Sequence, residues 1–81
     1  MKTQQKNLKQ QVGYSIRVRR AVLEMSQGEL AEKVGISQGF LSLLEQGKRS
    51  LDLDLLERIA SALQCSINQL LPPEERLREA A

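Results

Sequence analysis

The most constraining stretch of the chain runs from Ser26 to Gln46, SQGELAEKVGISQGFLSLLEQ. It carries two short helical patterns hinged on one glycine. Ser26 offers a side-chain oxygen to orphan backbone N–H groups, so a helix starts at Gln27. Glu29, three residues after Ser26, completes a capping box and suits the positive end of the helix dipole. Leu30, Ala31 and Val34 fall on one face at helical spacing. Ala31 is small where a second helix must come close. Gly35 reads as a left-handed terminator. Ser37, after Ile36, caps a second helix that runs to about Gln46. Its apolar stripe is Leu41 and Leu44, with Phe40 and Leu43 offset from it. The turn between the helices is about three residues, which holds two helices at a steep angle. A purely structural helical hairpin uses the same caps and the same glycine, so no single residue is diagnostic and only the combination is.

The 81 residues amount to one small domain with little room for a catalytic cleft beside a core. One cysteine excludes an intramolecular disulfide, and with no histidine a zinc site lacks its usual ligands. Cys65, between Leu63 and Ile67, reads as a small half-buried apolar residue rather than a redox group. No apolar run is long enough to span a membrane, and the polar, basic start MKTQQKNLKQQ is no signal peptide. A cytoplasmic protein is expected, associated with the nucleoid through whatever it binds. No nucleophile–base pair or phosphate-binding glycine loop is present, so an enzyme is not expected, and neither is a cofactor.

The net charge of +2 hides a gradient. Residues 1–23 carry Lys2, Lys6, Lys9, Arg17, Arg19 and Arg20 and no acid, whereas acids outnumber bases in residues 24–51 and again in 52–81. A basic opening and an acidic close suggest a molecule with one side toward an anionic partner and one side away. Taken alone, the basic segment is equally a solvated arm.

Along the chain, residues 1–11 read as a basic flexible arm. A first helix follows, from about Lys9 to Leu23, with Val12 and Ile16 on its inner face. The hinged pair comes next, then a basic loop, Gly47 to Ser50. Asp52 caps a fourth helix, Leu53 to Leu63, whose buried face is Leu55, Leu56, Ile59, Ala60 and Leu63. Ser66 caps a short fifth helix, Ile67 to Leu71, stopped by Pro72 and Pro73. A tail of residues 72–81 has capacity for a further turn or two. The expected core adds Leu23, Ile36, Ile67 and Leu70 to these apolar faces. The whole is an all-α, compact five-helix domain over residues 12–71.

The run SQxELAxKVGISQxxLSxLExGKR, with the flanking IRVRRAVLEM and LLERIASALQCSINQLL, resembles the phage repressor and Cro-like (XRE) helix-turn-helix family. The likeness covers about Val12 to Leu71 and implies a lambda-repressor-like DNA-binding domain. Three departures stand out. Glu24 occupies a place where such domains often have glycine, so the end of the first helix is expected to be strained or reshaped. Leu51 stands where a proline is common. Gly39 replaces a polar reading residue, which bears on sequence preference rather than on fold.

The resemblance implies roles for particular residues. Ser26 and Gln27 lie at the second helix's N-terminus, where Gln27 contacts a phosphate and buttresses Gln38. The Gln38 amide suits adenine N6 and N7. Ser37, Gln38, Gly39, Ser42 and Leu43 lie on or near the groove-facing side of the third helix. Phe40 either touches thymine methyls or the sugar–phosphate wall, or is half-buried against a neighbouring helix. Leu43 touches a thymine methyl or is merely exposed. Lys48 and Arg49 bind phosphates, and Arg17, Arg19 and the arm lysines extend the contact or serve solubility alone. Arg20 and Glu45 resemble a partly buried structural ion pair. Ile67, Leu70, Leu71 and Leu77 form the expected dimer interface.

The expected function is a sequence-specific, double-stranded DNA-binding transcriptional regulator, a repressor that binds a pseudo-palindromic operator as a homodimer. An autoregulating antitoxin and a restriction-modification controller are rivals of the same class, and either brings a protein partner. A protein-interaction module that lost DNA binding is the rival from another class. Gly39 and Leu43 favour it slightly; Gln27, Gln38, Lys48 and Arg49 oppose it.

Overall fold

The computed structural model describes residues 7–78. Among these described residues five α-helices follow one another: α1 Leu8–Val22, α2 Gln27–Val34, α3 Gln38–Glu45, α4 Leu53–Ala62 and α5 Ile67–Leu70, with a 3-10 turn at Pro73–Glu75. Each helix begins on a polar cap. Ser26, Ser37, Asp52 and Ser66 accept from the backbone N–H three residues on, at Glu29, Phe40, Leu55 and Gln69. Asn7 does the same for α1, accepting from the Gln10 N–H at 2.8 Å while its own N–H donates to the Gln10 side chain at 3.1 Å. That capping box starts α1 inside the stretch expected to be a flexible arm, so Leu8 to Gln11 are helical. Lys2 and Lys6 of the arm lie outside the described residues.

Four helices end in one way. A single residue turns left-handed, and the next N–H reaches back five residues to a carbonyl left orphaned by the helix end. Gly35, at φ 86°, lets the Ile36 N–H reach the Ala31 carbonyl at 3.0 Å. Gly47, at φ 75°, does so for Lys48 and Leu43 at 2.9 Å. At the ends of α1 and α4 the same geometry is imposed on Glu24, at φ 54°, and Gln64, at φ 59°. Met25 then reaches Arg20 and Cys65 reaches Ala60. The expectation for Glu24 is met by a left-handed residue rather than by a changed helix end.

The core is Val12 and Ile16 from α1, Leu30, Ala31 and Val34 from α2, Leu41 and Leu44 from α3, Leu55, Leu56, Ile59 and Ala60 from α4, with Leu63 and Leu70. Leu23, Ile36 and Ile67, expected inside, are only partly buried and pack on its rim beside Leu51 and Met25. α1 packs on α3 and α5, α2 on α3 and α4, and α4 on α5.

Two glycines set how closely the layers meet. A Cβ on Gly13 would stand 2.7 Å from the Glu45 carbonyl oxygen and closer still to that of Leu44, so α1 and the end of α3 touch backbone to backbone. A Cβ on Gly47 would stand 2.7 Å from Gln10 Cα. Gly13 is therefore a packing requirement.

Two arginines bind helix C-termini across the fold. Arg19 donates from Nε to the Leu63 carbonyl at 2.9 Å and from Nη2 to that of Gln64 at 3.0 Å. Arg58 Nη1 donates to the Val34 carbonyl at 3.2 Å. Cations are stabilising at such ends. The tail folds back on α5. Asn68 donates to the Leu77 carbonyl at 2.8 Å and accepts its N–H at 2.7 Å, while Arg76 donates to the Asn68 and Leu71 carbonyls. No helix among the described residues is long and apolar enough to cross a membrane.

Candidate nucleic-acid interface

α3 buries Leu41 and Leu44 completely and turns its N-terminal edge outward, leaving Ser37, Gln38 and Gly39 exposed. The buried stripe comes from spacing. Positions 41 and 44 share a face, and positions 38, 39 and 42 fall away from it. Ser42, Leu43 and Phe40 are half-buried along its flanks.

A chain of polar contacts holds this helix at its angle. Arg20 on α1 donates to both carboxylate oxygens of Glu45, at 2.9 and 3.0 Å, and to the Met25 carbonyl at 3.0 Å. The Glu45 side chain is 5% exposed and that of Arg20 17%. Glu45's hydrogen bonds raise the Arg20 pKa above its ordinary value, against the opposing cost of burial. Gln27 Nε2, at the first turn of α2, donates to the same carboxylate at 3.1 Å. Gln38 Nε2 in turn lies 3.5 Å from Gln27 Oε1. The path from α1 through α3 and α2 thus ends on an exposed amide.

Around this chain the surface is polar and basic. Arg17, exposed on α1, lines one cleft with Arg20, Gln27, Ser42, Glu45 and Gln46. Gln46 donates to the Ser42 hydroxyl at 2.9 Å. Lys48 and Arg49 are exposed just beyond α3. The Arg49 guanidinium stands 5.4 Å from the centre of the Phe40 ring, within cation–π range. Phe40 also packs on the core, which favours the half-buried reading of that residue. Ser26 and Ser37 both spend their hydroxyl oxygen on caps, accepting from Glu29 N–H and Phe40 N–H at 3.0 Å.

The structure therefore brings together Ser26, Gln27, Ser37, Gln38, Gly39, Ser42, Leu43 and the Arg20–Glu45 pair. Phe40, Lys48 and Arg49 border them. Two expectations need correction. Arg19 does not extend this surface, because its guanidinium is committed to the end of α4. Leu70 is not free to form a dimer interface, because it is 1% exposed and part of the chain's own core. Ile67 and Leu71 are half-buried, and Leu77, held to α5 by Asn68, is half-exposed. Gln46 was not anticipated, although its four-residue spacing from Ser42 is a helix-face signal. Among the described residues no group of His, Cys, Asp or Glu is placed to hold a metal ion.

Comparison with known proteins places these features in a wider set. A family model described as helix-turn-helix matches residues 16–70. A hypothetical transcription factor of Neisseria meningitidis serogroup B is 33% identical over 75 residues, spanning 91% of this chain and 71% of that protein. The clp gene regulator ClgR from C. glutamicum superposes with a TM-score of 0.79 at 32% identity, covering 82% of this chain and 86% of that one. Hydroxypropylphosphonic acid epoxidase from S. wedmorenis superposes equally well, at 0.79 and 30% identity, but the match covers 85% of this chain and only 37% of the enzyme. The likeness there is to one part of a larger protein.

Proposed function

The chain belongs to the helix-turn-helix family, and from that premise we propose that it is a DNA-binding transcriptional regulator, a repressor that grips a pseudo-palindromic operator as a homodimer. α3 enters the major groove with Gln38 at its leading end. Gln38 presents a donor and an acceptor in one plane, the pattern that pairs with adenine N7 and N6. The observation that carries the reading is the polar chain Arg20–Glu45–Gln27–Gln38, which fixes an exposed amide at the tip of a half-exposed helix.

The remaining contacts set register. Lys48, Arg49 and Arg17 are placed to neutralise phosphates, and the open amides at the start of α2 suit the same oxygens. The dimer surface is Ile67, Leu71 and Leu77, brought together by α5 and the tail that Asn68 clips to it. The match to the epoxidase covers only 37% of that enzyme, and the proposed role is that of a binding protein in the cytoplasm, on the nucleoid.

Selection of bound duplexes from a random pool tests this. The expected product is an inverted repeat whose half-site centres lie about 10 bp apart, one helical turn. An unenriched pool contradicts sequence reading, and an unrepeated half-site contradicts the dimer.

A further inference from the structure

Gly39 and Leu43 lie four residues apart on α3, so they are neighbours on one helix face. Gly39 is exposed, and the place where its Cβ would stand has no other atom within 4 Å. Packing does not demand glycine there, unlike at Gly13. Its φ does not demand glycine either, unlike at Gly35 and Gly47. Leu43 is half-buried and stands apart from the hydrophobic residues packed on the core. A leucine in a helix leans toward the turn before it, over the residue four earlier. Here that residue has no side chain. The result is a low apolar step along α3, with Gln38 and Ser42 on one flank and the half-buried Phe40 on the other.

Neither residue has a side-chain donor or acceptor, so no side chain here pairs with the hydrogen-bonding edge of a base. It has room and an apolar wall. The one apolar group that the major groove displays is the thymine 5-methyl. We propose that the Gly39–Leu43 step seats a thymine methyl, making these two residues the determinants of one thymine in each half-site. The inference rests on the groove-reading assignment above and names what that surface reads beside Gln38. Cytosine at the same place would leave the step facing a bare ring edge, and 5-methylcytosine would restore the contact while changing the polar groups.

The test uses the full chain and a duplex recovered from the random pool. Each thymine is replaced in turn by deoxyuridine, which removes only the methyl. Wild type should lose about fourfold in affinity at one thymine per half-site, the worth of one buried methyl-sized group. Leu43→Ala should bind the parent duplex more weakly by about that factor and treat thymine and uracil alike at that position. Gly39→Gln, whose side chain has open space to enter, should also lose the discrimination while unfolding at or above the wild-type midpoint. A Leu43→Ala protein that binds tightly and still discriminates thymine from uracil overturns the inference and leaves the groove reading intact. A protein that enriches no duplex overturns both.

Discussion

Glu45 accepts from Arg20 through both carboxylate oxygens, at 2.9 and 3.0 Å, with its side chain only 5% exposed. The pair joins α1 to the end of α3 at the point where Gly13 lets the two backbones meet. Because the same carboxylate also accepts from Gln27, loss of Arg20 would leave a nearly buried charge with one neutral donor. Arg20→Ala should therefore cost about 3 kcal/mol, the lower end of the range for broken buried pairs, since Arg20 keeps some solvent. Chemical denaturation reads this as a lower midpoint at unchanged slope. A midpoint equal to wild type would show the pair to be ornamental.

Two glycines should respond to alanine with opposite signs. Gly13→Ala forces a methyl against the carbonyls of Leu44 and Glu45 and should destabilise by about 1–3 kcal/mol. Gly39→Ala meets nothing within 4 Å and gains helix propensity, so it should stabilise by about 0.5–1 kcal/mol. Thermal melts of the two variants give the comparison, and a shift of the same sign for both would contradict it.

Glu24 and Gln64 occupy the left-handed positions that glycine fills at the ends of α2 and α3. A left-handed non-glycine residue costs about 1–2 kcal/mol. Glycine relieves that cost and gives back part of it as greater freedom of the unfolded chain. Glu24→Gly and Gln64→Gly should each raise stability by about 1 kcal/mol, additively because they end different helices. Unchanged melting temperatures would contradict the strain.

Acid should loosen the start of α2. The Ser26 backbone N–H, 2.8 Å from Glu29 Oε1, lowers the Glu29 pKa from its ordinary 4.5, with the Ser26 hydroxyl a smaller cause. A lowered folded-state pKa means that the stabilisation is fully present above the unfolded value and is lost as pH falls through the folded one. Glu29→Gln should thus flatten the decline in stability on the acid side of 4.5, and have least pH-dependent effect near neutrality. Stability measured across that window for both proteins checks the sign.

What the sequence made legible was what is local. Ser26, Ser37, Asp52 and Ser66 cap helices because each acts on an amide three residues away. Leu41 and Leu44 could be assigned to the core from spacing alone. Gly13 could not, because its constraint comes from carbonyls more than thirty residues further on. Arg19 looked like part of a basic face until the fold brought the end of α4 to it. Leu70 reads from the sequence both as a core residue and as a dimer residue, and a four-residue helix packed beside α1 and α4 turns it inward, into the core. The polar chain of the candidate site lies between these cases. Its members sit in recognisable motif positions, but the meeting of Arg20, Gln27 and Gln38 around Glu45 is a tertiary fact.

In the proposed complex α3 reads base edges through the Gln38 amide, which its scaffold holds in place. The most direct measurement is the affinity of Gln38→Ala for a selected duplex and for a random one, alongside its unfolding midpoint. The expected result is a loss of about tenfold on the selected duplex, little change on the random one, and an unchanged midpoint. A Gln38→Ala protein that binds the selected duplex as tightly as wild type, or that loses both duplexes equally, would contradict it.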